Sequence, residues 1–151
     1  MNMLRHTTQP RANDPTPKQE VLAQVAALCT RAGDKGLQVL LVKSSRGRWI
    51  LPKGWLMDGH TDAQAAKLEA WEEAGVAEGS VDKAPLATFM TQKRFDNGTT
   101  TPCLVSVYPL AVKAMTDDYP EAGQRRRRWV SVKKAIKLVN EDGLKDILRS
   151  I

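Results

Sequence analysis

Leu51 to Val76 reads LPKGWLMDGHTDAQAAKLEAWEEAGV, and its punctuation divides it into a loop and a helix. Pro52 stops an extended segment and Gly54 opens the loop. Thr61, with Gln64 three residues on, forms a capping box, and Gly75 stands where a helix closes in the left-handed conformation. The pattern therefore predicts a helix from Asp62 to Ala74. On it, Glu69, Glu72 and Glu73 fall at i, i+3 and i+4, which sets three carboxylates within about 100° of arc. A neighbouring arc carries Ala63, Ala66, Ala70 and Ala74, a flat stripe that lets the helix lie close against a sheet. Lys67, the one basic residue of this helix, lies off the acidic arc.

A run of like charge is most simply a solvated face, where each pair at this spacing costs only a few tenths of a kcal/mol. The alanine stripe argues instead for partial burial. Two carboxylates about 5–6 Å apart then repel by about 3 kcal/mol at an effective dielectric of about 20. A hard divalent cation with oxygen ligands offsets that repulsion, so the cluster reads as a metal site.

At these residues the chain resembles the Nudix hydrolases, whose box is written G-x(5)-E-x(7)-R-E-U-x-E-E-x-G-U with U aliphatic. Gly54 matches the opening glycine, Glu69 the first glutamate of the catalytic helix, Glu72 and Glu73 the paired glutamates, and Gly75-Val76 the close. Ala70 fills the first aliphatic position. Two positions depart: His60 stands where the box has Glu, and Leu68 where it has Arg. Those two residues usually pair, so losing both leaves no orphaned charge and resembles a coupled substitution. The resemblance implies an α/β/α sandwich with a mixed β-sheet between helices, an α+β fold. It also implies metal-dependent hydrolysis of a diphosphate linked to a second group. By the same resemblance Glu69, Glu72, Glu73 and the Gly54 carbonyl are the metal ligands. Glu69 or Glu72 is the general base, with Glu121 in reserve. Mg²⁺ is the expected ion and Mn²⁺ its substitute.

The chain has 151 residues, 42% apolar and 26% charged, the profile of one soluble domain. No apolar run reaches a membrane span and no secretory h-region is present, so a cytoplasmic location without a membrane partner is expected. Cys29 and Cys103 are isolated within apolar stretches and read as buried free thiols rather than a disulfide framework or zinc site. Net charge is +6, from 23 Lys and Arg against 17 Asp and Glu. That balance favours an anionic partner: nucleic acid, an acidic surface or a densely phosphorylated small molecule.

Residues 1–17 hold three prolines and no periodicity, and read as a disordered tail before a single domain over 18–151. Val21 to Cys29 and Leu37 to Lys43 are strand-like runs around the turn Gly33 to Gly36, and Arg48 to Leu51 is a short extended segment. Leu86 to Gln92 and Cys103 to Leu110 are two more strands, joined across Asn97-Gly98, a strong hairpin signal. Met115 to Gly123 reads as a polar loop. Helices follow from about Val132 to Asn140 and from about Asp142 to Ser150.

The run Arg125-Arg126-Arg127-Arg128 is the other sharp feature. In an extended segment alternation sends Arg125 and Arg127 to one face, where that pair can line a phosphate site. Arg48 and Lys53 are further phosphate-binding candidates, Lys53 weighed against a solvated lysine. His60, just before the helix cap, reads as a solvated residue rather than a ligand. The stretch GQRRRRWVSVKKAIKLV is similar to the region before the last helix of diphosphoinositol polyphosphate phosphohydrolases. Pro52-Lys53-Gly54 resembles the box start of diadenosine polyphosphate hydrolases. Both resemblances imply a polyphosphorylated small-molecule substrate. An RNA 5′-end pyrophosphohydrolase is the alternative. A non-catalytic nucleic-acid-binding module is less favoured, because aromatic residues are only 5% and show no stacking array.

Overall fold

The computed structural model describes residues 20–151; the tail expected over residues 1–17 lies outside them. In chain order the elements are β1 (Leu22–Gly33), β2 (Gly36–Lys43), β3 (Trp49–Ile50), β4 (Lys53–Trp55), α1 (Asp62–Ala74), β5 (Val76–Val81), β6 (Ala87–Arg94), β7 (Thr100–Met115), β8 (Arg127–Ser131), α2 (Val132–Leu138) and α3 (Asp142–Arg149).

Strand β1 is the spine. Along one edge it runs parallel to β7, from Leu22 opposite Cys103 to Thr30 opposite Ala111. Its other edge is shared: β4 pairs near its start, with Val25 opposite Gly54, and β2 near its end, with Gly33 opposite Gly36. β7 is shared likewise, pairing antiparallel with β6 over its first half and β5 over its second. β2 carries β3 and β8. The sheet is thus mixed, eight strands in all among the described residues.

A central strand covered on both faces should read as a continuous apolar run, and Val25 to Cys29 does. Alternation divides it. Val25, Ala27 and Cys29 face the alanines of α1, while Ala26 and Leu28 face Ala135 of α2 and Leu144, Ile147 and Leu148 of α3. One helix on one face and two on the other give the α/β/α sandwich. Both cysteines are buried and free.

α1 has the bounds its caps predict. The Thr61 side chain accepts from the Gln64 N–H, the Gln64 side chain returns to the Thr61 N–H, and Gly75 closes the helix at φ 74°. A side chain at Gly75 would also strike the Thr116 carbonyl and Arg127, each 2.5 Å from a built Cβ. Strands differ more from expectation. β7 extends from Thr100 to Met115 rather than Cys103 to Leu110 and β6 runs on to Arg94, because the start of β7 pairs along all of β6 and its end pairs with β5. β4 and β5 fall outside the expected strands, while β8 occupies the extended segment that carries the end of the arginine run. β8 turns the arginine run into a strand because Val130 and Arg128 pair with Val39 and Leu41 of β2. α2 ends at Leu138 rather than Asn140, where Val139 bridges to Trp49.

Candidate active site

Among the described residues the buried polar or charged side chains are Gln24 of β1 and Glu69 and Glu73 of α1, and Lys53 of β4 hydrogen-bonds both Gln24 and Glu73. The loop Leu56–Thr61 reverses the chain between β4 and α1, so Gly54 and Lys53 lie beside the acidic edge of the helix. A Cβ built on Gly54 would sit 2.2 Å from Glu69 Oε2 and 2.3 Å from Glu69 Cδ. Gly54 is glycine because a carboxylate rests on its Cα, not because its backbone needs a positive φ. The Lys53 N–H donates to Glu73 Oε1 at 3.3 Å, and Lys53 Nζ donates to Gln24 Oε1 at 2.9 Å.

The loop after β7 folds back onto the same edge. The Glu121 N–H donates to the Glu72 carbonyl at 3.0 Å. Arg125 then stands between two acids, its Nε 3.2 Å from Glu121 Oε1 and its Nη1 3.9 Å from Glu73 Oε1. Glu72, Glu73 and Glu121 all act on Glu69, and burial adds to the mutual repulsion. Burial first, then Glu73, Glu72 and Glu121, push the Glu69 carboxyl up to about 8. Burial pushes Glu73 up to about 7 against the pull of Arg125 and the Lys53 N–H. Burial also lowers the Lys53 ammonium from the usual lysine value.

Glu73 and Lys53 open into a cavity of about 380 Å³. Its wall carries Arg46, Arg48, Lys53, Lys93, Arg94 and Arg125 against the two acids Glu73 and Glu141. The cations come from the β2–β3 loop, from β4, from the end of β6 and from the segment before β8. Among the expected phosphate ligands, Lys53, Arg48 and Arg125 are therefore brought together. Arg127 is not. It shares the half-buried face with Arg125, as alternation requires, but its Nη1 donates to the Ala74 carbonyl at 2.8 Å and the Thr116 carbonyl at 2.7 Å. It also pairs with Asp117 and lies over the Tyr119 ring. Arg127 caps the C-terminus of α1, which has no basic residue in its own last turn.

The three helix carboxylates are not equivalent. Glu73 alone of them lines the cavity, Glu69 lies behind it against Gly54, and Glu72 is half-buried at the edge. Among the described residues no group of three His, Cys, Asp or Glu side chains is gathered closely enough, as they stand, to hold a metal ion. His60 is exposed, its Nδ1 3.2 Å from the Asp58 carbonyl, and stays apart from the acids. Sequence reading missed Gln24, Arg46, Lys93, Arg94 and Glu141. For Lys93 a signal existed, since Phe89, Thr91 and Lys93 alternate along β6 toward the α3 face. Gln24, inside an apolar run, carried none.

Residues 22–150 match the family model for the NUDIX domain. The chain belongs to that family. Curated relatives of this Nudix domain include Nudix hydrolase 13, mitochondrial, of Arabidopsis thaliana, 33% identical over 118 residues, 74% of this chain and 58% of that protein. Diphosphoinositol polyphosphate phosphohydrolase 2 of Homo sapiens is 33% identical over 120 residues, 77% of this chain and 61% of that protein. The Nudix domain thus spans under two thirds of the length of these relatives. Among solved structures, the C. elegans Ap4A hydrolase shares the fold with a TM-score of 0.65 at 20% identity, covering 85% of this chain and 94% of that one. Among the described residues no helix is long and apolar enough to cross a membrane.

Proposed function

We propose that this Nudix domain hydrolyses a diphosphate linkage in a densely phosphorylated small molecule, with diphosphoinositol polyphosphates and diadenosine polyphosphates the favoured substrates. One observation carries the reading: the acid that opens from α1, Glu73, shares its cavity with six cationic side chains drawn from four separate segments. The names of the human relative and of the worm structure support the same substrate classes.

The donor set fits Mg²⁺, or Mn²⁺ in its place. Glu69, Glu72, Glu73 and the Gly54 carbonyl offer oxygen alone, and an open carboxylate edge suits an ion that keeps several waters and takes phosphate oxygens as further ligands. The raised Glu69 and Glu73 carboxyls are a deficit of positive charge that such an ion removes. When bound, the ion neutralises phosphate charge and lowers the pKa of a coordinated water.

The residues supply the rest. Arg125, Arg48 and Lys53 hold non-bridging phosphate oxygens, the arginines through paired N–H donors. Gln24 keeps Lys53 Nζ directed along the cavity floor, and the Lys53 N–H fixes Glu73. Glu69 or Glu72 takes the proton from the attacking water.

A panel of diadenosine polyphosphates, diphosphoinositol polyphosphates, nucleotide sugars, nucleoside triphosphates and 5′-triphosphorylated RNA, assayed for phosphate release with Mg²⁺, tests this. Cleavage of the first two classes is expected, and no cleavage of any member under any divalent ion ends the reading. Cleavage at the RNA 5′ end is the second reading. It is favoured by Trp49 at the cavity wall, flanked by Lys43 at 5.3 Å and Arg126 at 5.7 Å from its ring centre.

A further inference from the structure

Glu141 is a carboxylate on the wall of a cavity otherwise lined for phosphate. It stands at the N-cap of α3, yet its side chain makes no capping hydrogen bond. Instead its Oε1 accepts from Thr91 Oγ1 at 2.7 Å, which ties it to β6 at the cavity wall. Among the described residues no salt bridge engages it. One accepted hydrogen bond leaves most of a carboxylate's acceptor capacity unused. Glu141 also stands where two spaces meet. A second cavity, of about 320 Å³, shares Arg48, Thr91, Gln92 and Glu141 with the first and adds Met90, whose side chain is apolar and exposed.

We infer that Glu141 is a specificity-determining residue, accepting a hydrogen bond from a sugar hydroxyl or an amine on the group that the diphosphate carries. The inference rests on the first cavity being the substrate site proposed above. A phosphate at this point meets a carboxylate that no salt bridge engages among the described residues, whereas a hydroxyl or amine donor satisfies the free acceptor sites. A nucleoside attached to the polyphosphate is therefore admitted in preference to a ring phosphorylated on every carbon.

The test is the ratio of affinities for diadenosine tetraphosphate and for fully phosphorylated diphosphoinositol, measured by calorimetry without divalent metal, for the wild type and for Glu141→Gln. Glutamine keeps the size and the bond from Thr91 but loses the charge. The ratio is expected to move about tenfold toward the inositol ligand, through weaker dinucleotide binding. A ratio that stays within about twofold overturns the inference, as does failure of the wild type to bind either ligand. Thr91→Val separates specificity from scaffolding. It removes the tie to β6 and keeps the carboxylate, so the wild-type preference should persist. Equal loss of preference in both variants shows a structural role and overturns the inference. A wild type that binds both ligands but cleaves neither with Mg²⁺ refutes the proposed function, while the affinity ratio still decides Glu141.

Discussion

Gly54 shows how close packing and chemistry meet in one residue. Its backbone is unstrained, so alanine is conformationally acceptable, but the added methyl would overlap the Glu69 carboxylate. Gly54→Ala is expected to shift Glu69 and to lower kcat about 100-fold, the usual cost of an ångström's misplacement in a reacting group. Stability should fall by about 1–3 kcal/mol through overpacking. Steady-state kinetics with thermal unfolding measure both, and an unchanged kcat removes Glu69 from the site. Much of this was open to reading at the level of the residue. The spacing of Gly54, Glu69, Glu72 and Glu73 was legible because a helix fixes relative positions over one turn. That Glu69 is the acid beneath the glycine and Glu73 the one facing the cavity was not. It depends on the rotation of α1 about its axis, which the sheet decides.

At the scale of elements, caps were readable and short strands were not. Thr61, Gln64 and Gly75 act on their own neighbours, so they carry their message locally. Lys53 to Trp55 is a strand only because β1 leaves part of one edge to it. Val76 to Val81 has no clear alternation and pairs with β7 through irregular register. The arginine run illustrates both cases. Alternation placed Arg125 and Arg127 on one face correctly, but only the tertiary fold shows that Arg127 reaches the end of α1 while Arg125 reaches Glu73. The two arginines should therefore separate by experiment. Arg127→Ala is expected to cost about 1–3 kcal/mol of stability, lowering Tm by a few degrees and leaving KM nearly unchanged. Arg125→Ala is expected to raise KM about tenfold or more with a smaller change in Tm. The reverse pattern would return Arg127 to the phosphate site.

The whole molecule brings charge of both signs to one place. Basic segments remote in sequence converge on a cavity whose inner end is acidic, and neither a net charge of +6 nor any single motif discloses that convergence. The arrangement has a cost in the metal-free protein. Glu69 titrates at about 8 when folded and about 4.5 when unfolded, so between those values the folded state binds the extra proton. Stability from this group is therefore full below about pH 4.5 and is lost as pH rises toward about 8. Relief of repulsion among the excess basic charges acts in the opposite direction, so the wild type should be compared with Glu69→Gln. The variant's advantage in Tm is expected to grow with pH over that window, and added Mg²⁺ should stabilise only the wild type. An advantage that shrinks with pH contradicts the burial of this carboxylate. The central claim is that the acid edge of α1 holds a divalent ion against a diphosphate bound by the basic wall. Phosphorus-31 NMR of the diphosphate substrate in Mg²⁺, with wild type and Glu73→Gln at matched fold, tests it most directly. The claim predicts loss of the diphosphate signal with the wild type and a rate about a thousandfold lower with the variant; equal rates would contradict it.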